Sequence, residues 1–162
     1  MTNKKTLLLA QAAIIAAMYV ALTYAFAPIS FKEVQVRISE ALTILPVFTP
    51  AAIPGLFIGC VIGNFFGGAI LPDILFGSLA TLAGAFFTWK LRNATPFLAP
   101  VPPIIANMLV VPFVLRYAYG VPLPIPLMML TVGLGEVISC GVLGMLLYFA
   151  LRSHKEVIFR NL

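Results

Sequence analysis

The sequence predicts an all-α integral membrane protein: a six-helix transmembrane bundle forming a single membrane domain over residues 1–162, with both termini cytoplasmic. Three observations carry this. Hydrophobic residues make up 62% of the chain, and its mean hydropathy is +1.09. Only 9% of residues are charged, against roughly 25% in soluble domains, so a soluble globule would lack a polar coat. The same composition excludes disorder, which requires low hydrophobicity and high charge. Finally, apolar runs long enough for a bilayer alternate with prolines and charges.

The elements follow from that punctuation. The first helix is expected at about 5–26. Lys4 and Lys5 precede its apolar run and Ala25-Phe26-Ala27 resembles a leader-peptidase site. A signal core is only about 7–15 residues, however, so the longer run reads as a retained helix. A polar connection over 27–38 carries Lys32, Glu33, Gln35 and Arg37. A short second helix is expected at 39–48, with Ser39 as a candidate N-cap, and Thr49-Pro50 breaks it. The third follows at 51–66. After a glycine turn, Pro72-Asp73 suit the opening of a fourth helix at 72–92. The fifth, 97–119, contains Pro100, Pro102, Pro103 and Pro112. A proline-rich turn leads to the sixth, 124–152, and a short polar tail.

The basic residues set the expected orientation. Lys4, Lys5, Lys90, Arg92, Arg152, Lys155 and Arg160 fall at one set of helix ends; Lys32, Arg37 and Arg116 fall at the other. The excess at the first set places those ends, and both termini, in the cytoplasm. The net charge of +5 thus reads as orientation rather than nucleic-acid binding. Cys60 and Cys140 lie in apolar stretches without metal-type spacing and read as buried free thiols. Trp89, beside Lys90 and Arg92, reads as an interfacial anchor.

Small residues four apart mark close helix contacts in lipid. Gly55, Gly59, Gly63 and Gly67 predict a tight crossing. Ala13, Ala17, Ala21 and Ala25 form a second stripe, which suits either internal packing or a flat face for a membrane partner.

Ionisable residues at membrane depth are costly and therefore candidates for function. Glu136 lies about 12 residues into the sixth helix, ~18 Å at 1.5 Å per residue, near mid-bilayer. Its bland alternative is a carboxyl held neutral by a neighbouring helix. Glu40 and Asp73 open helices, where a carboxylate can simply pair with the helix dipole. Asn64 and Asn107 suit either interhelical bonding or a ligand. Arg37 suits either a salt bridge with Glu40 or a ligand. Tyr19, Tyr24, Phe26, Phe31, Phe65, Phe113, Tyr117 and Tyr119 are candidate stacking surfaces. Catalytic and nucleotide-binding signatures are missing, so no enzyme, cofactor or metal is expected, and active transport would need an engine elsewhere.

The stretch Gln35-Val36-Arg37-Ile38-Ser39-Glu40-Ala41-Leu42-Thr43-Ile44-Leu45-Pro46, followed by Thr49-Pro50-Ala51-Ala52-Ile53-Pro54-Gly55, closely resembles the QueT family. So do Asp73-Ile74-Leu75-Phe76-Gly77-Ser78-Leu79-Ala80-Thr81-Leu82 and Gly135-Glu136. That family is similar to the substrate-binding S components of energy-coupling-factor (ECF) transporters, assigned to queuosine precursors. The resemblance implies a six-helix S-component fold that captures substrate outside the cell. It also implies docking on a transmembrane T component driven by two cytoplasmic ATPases, with Ala13 and Ala17 matching the family's docking motif. The implied ligand is a 7-deazaguanine, such as the 7-aminomethyl form, or queuine.

A carboxylate can accept both donors of a guanine-like edge. The expected site therefore has Glu136 reading that edge, Glu40 or Asp73 pairing with the ammonium, Asn64 and Asn107 completing the lining, and the connection with Arg37 as an outer gate. Rival readings are an S component for another purine-like base or a vitamin, and a structural or regulatory membrane protein.

Overall fold

A computed structural model describes residues 4–26 and 36–159, and these are helical throughout apart from turns and connections. The expected connection over 27–38, with Lys32 and Glu33, lies outside the described residues as far as position 35.

Helix α1 runs Lys4–Ala25. A 3₁₀ helix, Ile38–Val47, follows, then α2 (Ala52–Phe66) and α3 (Leu71–Lys90). After a short 3₁₀ turn at Pro96–Leu98 comes α4 (Val101–Tyr117). The last rod comprises α5 (Ile125–Glu136), a π-helical segment (Val137–Leu143) and α6 (Gly144–Arg152). A final turn, α7, spans Lys155–Ile158. Lys4–Ala25, Leu71–Lys90, Pro96–Tyr117 and Ile125–Arg152 are long and apolar enough to cross a membrane. The 3₁₀ helix and α2 are apolar but shorter.

Two elements differ from expectation. The second helix is wound as a 3₁₀ helix of ten residues, although such runs rarely exceed 3–4 residues. Pro46 lies inside it, where its ring would clash with the i−4 carbonyl of an α-helix, while Thr43 Oγ1 donates to Glu40 O at 2.6 Å. Ser39 is not its cap: Arg37 occupies that position in extended conformation without a capping bond, and Ser39 Oγ accepts from Thr23 Oγ1 at 2.8 Å. The sixth helix is not uniformly α-helical either. It widens into a π segment immediately after Glu136, a feature frequent at functional sites.

The turns follow the sequence signals. Thr49 Oγ1 accepts from Ala51 N at 3.2 Å and donates to Gln11 Oε1 at 3.0 Å, tying the Thr49-Pro50 break to α1. Gly68 takes φ +78° in the turn before α3, and Pro72 stands in the first turn of that helix.

The glycine stripe makes the predicted crossing, and its partner is α1. A Cβ on Gly55 would stand 2.7 Å from Ala12 O. On Gly59 it would stand 2.8 Å from Tyr19 Cβ and 3.1 Å from Ala16 Cα. The two helices thus run parallel at backbone contact along Ala12, Ala16 and Thr23. Ala13, Ala17, Ala21 and Ala25 are left exposed on the other side of α1. A second close approach joins Gly84 of α3 to Pro103 of α4, where a Cβ would meet Pro103 Cα at 2.7 Å.

Burial is inverted relative to a soluble protein. Thr23, Ser39, Glu40, Asn64, Asp73, Asn107 and Glu136 are buried, while Leu9, Phe65, Phe76, Phe87, Leu130 and Leu146 face outward. Residues 39–46 of the 3₁₀ helix are all buried, so the shortest rod is the axis of the bundle. An apolar core of Ile15, Tyr19, Leu42, Leu45, Ala52, Leu56 and Cys60 joins α1, this axis and α2.

Candidate functional site

Six elements deliver polar side chains to the half of the bundle where α1 ends and α3 begins. Because α1 lies parallel to α2, Tyr19 and Thr23 come level with Gly59 and Gly63. The 3₁₀ helix descends from that same end, bringing in Arg37, Ser39 and Glu40. Asn64, Asp73, Asn107 and Glu136 arrive from α2, α3, α4 and α5, and all are buried.

The first cluster surrounds two carboxylates. Tyr19 Oη donates to Glu40 Oε1. The other oxygen, Glu40 Oε2, is buried and has no hydrogen-bond partner among the described residues. Cys140 Sγ donates to Glu136 Oε2 at 3.1 Å and lies 3.6 Å from Glu40 O. Donor atoms of Glu40, Glu136 and Cys140 lie within 4.8 Å of one another. Asn107 stands beside the Glu136 carboxyl. Thr43 Oγ1 is 3.4 Å from Cys140 Sγ, which links the wall formed by the π segment to the axis. Ser139 Oγ, on that segment, is likewise buried without a partner among the described residues.

Two buried carboxyl groups this close repel strongly in a medium of low dielectric when both are ionised. A cation placed between them relieves that repulsion. The oxygen Oε2 of Glu40 offers such a cation an acceptor that has no partner among the described residues, and an unpaired buried acceptor costs about 1–3 kcal/mol. By spacing, the two carboxylates and the thiol could also hold a metal ion, although Tyr19 and Cys140 already engage one oxygen of each carboxylate.

The second cluster surrounds Arg37. Its Nη1 donates to Asn64 Oδ1 at 3.1 Å, and Asn64 Nδ2 reaches Cys60 Sγ at 3.6 Å. Thr81 Oγ1 also reaches Cys60 Sγ, at 3.5 Å. Gly77 makes room for this convergence: a Cβ there would lie 3.3 Å from Asp73 Oδ1 and 3.5 Å from Asn64 Nδ2. Tyr119 Oη donates to Asp73 Oδ2 at 2.9 Å and accepts from Ile70 N at 3.3 Å. Tyr119 thus ties the loop after α4 to the first turn of α3. Its phenol is raised above the usual tyrosine value, by burial first and then by the Asp73 charge.

All six expected site residues are buried, and they fall into two hydrogen-bonded groups that the Arg37 charge links, since it acts on Glu40, Glu136 and Asp73. Glu136, Glu40 and Asn107 belong to the first cluster; Arg37, Asn64 and Asp73 belong to the second. Tyr19, Thr43, Cys140 and Tyr119 were not expected as their partners. One signal was available: Cys140 stands four residues after Glu136, one helical turn away. Tyr19 presents its hydroxyl to Glu40 with the ring 1% exposed. Of the other expected stacking rings, Tyr24, Phe26, Phe65, Phe113 and Tyr117 face outward, Tyr119 is the latch described above, and Phe31 lies outside the described residues.

Comparison with known proteins places this arrangement. A family model described as the QueT transporter matches residues 9–153. The chain is also similar to the queuosine precursor transporter QueT of Lactococcus lactis subsp. cremoris (strain MG1363). Identity is 37% over 84 residues, covering 51% of this chain and 49% of that protein. The match therefore spans about half the length of the curated relative. No solved structure matches the chain.

Proposed function

The chain belongs to the QueT transporter family and is a multi-pass membrane protein, and we propose that it is the substrate-binding S component of an ECF-type importer for a queuosine precursor. It binds a 7-deazaguanine, such as the 7-aminomethyl form or queuine, from outside the cell. All six helical rods cross the membrane, the two shorter ones included, and both termini are cytoplasmic.

The observation that carries this reading is the pair Glu40 and Glu136, with Glu40 Oε2 left unpartnered among the described residues. One carboxylate accepts the two parallel donors of the guanine-like edge. The other faces the ammonium of the aminomethyl group, whose charge relieves the repulsion between the pair. Asn107 supports the carboxylate at Glu136. Arg37, Asn64 and Asp73 form the outer part of the site.

The exposed Ala13 and Ala17 serve as the flat docking face for the T component. The glycine stripe supports this reading, because it occupies the opposite side of α1 and leaves the alanines uncovered. ATP hydrolysis belongs to two partner ATPases rather than to this chain.

The test is the affinity of purified Glu136→Gln for 7-aminomethyl-7-deazaguanine, measured by calorimetry beside the wild type. A loss of about tenfold or more, or ~1.4 kcal/mol, is expected. Unchanged affinity removes Glu136 from the site, and a wild type that binds vitamins but no 7-deazaguanine overturns the substrate assignment. Failure to co-purify with an ATPase module overturns the importer assignment.

A further inference from the structure

The end of the bundle opposite Asp73 carries a second feature, remote from the carboxylates. A cavity of about 930 Å³ lies where the start of α1, the end of the 3₁₀ helix, the loop after α3 and the end of α6 meet. Its lining includes four cations, Lys4, Arg92, Arg152 and Lys155, and no acid among the described residues.

All four are exposed, and the two arginines rest on aromatic rings. The Arg92 guanidinium lies 4.4 Å from the Trp89 ring centroid, and its Nη1 donates to Trp89 O at 2.9 Å. The Arg152 guanidinium lies 5.6 Å from the Phe149 ring centroid. Tyr148 stacks on Phe48 at 5.3 Å and forms part of the wall. Basic residues at helix ends ordinarily spread around a rim, where each is solvated separately and favours the helix dipole. In this chain three separate segments contribute cations to the lining of one concavity, where an anion could meet several of them at once.

The anion's chemistry follows from the donors. Two guanidinium groups offer paired N–H bonds that match phosphate oxygens, and the lysines add point charges. The source follows from the location. The cavity sits beside Trp89 at the ends of apolar helices, the depth of the headgroup layer, where basic pockets between helices bind anionic lipid.

We propose that this cavity binds the phosphate group of an anionic lipid headgroup. A lipid seated there ties the first turn of α1 to the last turn of α6 and to the end of the central axis, independently of substrate.

The test uses the full chain purified in detergent, with native mass spectrometry and thermal unfolding as readouts. Dioleoyl phosphatidylglycerol, dioleoyl phosphatidylcholine and soluble glycerol phosphate are added in separate arms. Phosphatidylglycerol is expected to remain bound and to raise the unfolding midpoint, whereas phosphatidylcholine does neither. The double variant Arg92→Gln/Arg152→Gln is expected to lose that retention by about tenfold or more, and Arg116→Gln, at the other end of the bundle, to keep it. Should the double variant fail to fold, Arg92→Lys/Arg152→Lys keeps the charge but loses the paired geometry, and weaker retention supports the site. Equal retention of the two lipids overturns the proposal, as does full retention in either double variant. A response to glycerol phosphate without one to phosphatidylglycerol overturns the lipid source.

Discussion

Tyr19 on α1 donates its phenol to Glu40 on the 3₁₀ helix, across 21 positions of sequence and entirely within the bundle. One carboxylate oxygen is thereby fixed, while the other is buried without a partner among the described residues. The hydroxyl thus aims the acid as well as satisfying it.

Replacing Tyr19 by Phe leaves the ring volume and removes that donor. The buried carboxylate then has both oxygens unsatisfied, which costs about 1–3 kcal/mol. A lower thermal midpoint in detergent is expected, together with weaker binding of the aminomethyl ligand. An unchanged midpoint and affinity would mean that the hydroxyl does not orient Glu40.

The α1–α2 crossing makes a steric prediction. A Cβ at Gly59 would meet Tyr19 Cβ at 2.8 Å and α1 backbone at 3.1 Å, so Gly59→Leu must push the helices apart, at about 1–3 kcal/mol or more for overpacking. Gly68 offers the contrast. Nothing stands within 4 Å of a Cβ there, but φ is +78°, so Gly68→Ala costs about 1–2 kcal/mol through backbone strain. Unfolding midpoints of the two variants separate these causes, since a smaller side chain rescues position 59 only in part and asparagine, tolerant of that conformation, rescues position 68.

Tyr119 predicts an alkaline signature. Its folded-state value lies above the unfolded one, by burial first and then by the charge on Asp73. A group raised in this way stabilises the fold below the unfolded value of about 10, and the contribution is lost as pH rises through the folded value. Spectroscopic titration should therefore show a tyrosine transition above about 10 that is lost in Tyr119→Phe and shifted downward in Asp73→Asn. A titration identical in all three proteins would dissolve the latch.

Ala13 and Ala17 predict a separation of binding from delivery. Both are exposed on α1, so Ala13→Leu/Ala17→Leu should fold and bind ligand as the wild type does. Uptake by cells carrying the importer should fall severely, because a flat docking face becomes ridged. Full uptake would locate docking elsewhere.

Much of this was legible in the sequence because prolines, glycines and charges act locally. Thr49-Pro50, Pro72 and the glycine stripe place breaks and crossings without reference to the rest of the fold. The buried status of Glu40, Glu136, Asn64 and Asn107 followed from the cost of polar groups in hydrocarbon. Their grouping did not, because which side chains Arg37 reaches depends on how three rods rotate against one another. Winding was equally hidden. Nothing local distinguishes residues 38–47 from a short α-helix except Pro46, and Val137–Leu143 reads as ordinary helix until its packing against the axis is known.

The tight winding of the axis has a geometric result. With three residues per turn, side chains at every third position eclipse, so the 3₁₀ helix is a three-sided prism. Its first edge, Ser39, Leu42 and Leu45, meets Thr23 and the apolar core. Its second, Glu40 and Thr43, meets Tyr19 and Cys140. Its third, Ala41 and Ile44, meets Gly144 of the last rod. An α-helix turns back by about 60° over three residues and would smear these edges into one another. Inserting or deleting a single residue therefore rotates every edge onto its neighbour's partner, and the prism tolerates length changes only in whole turns of three.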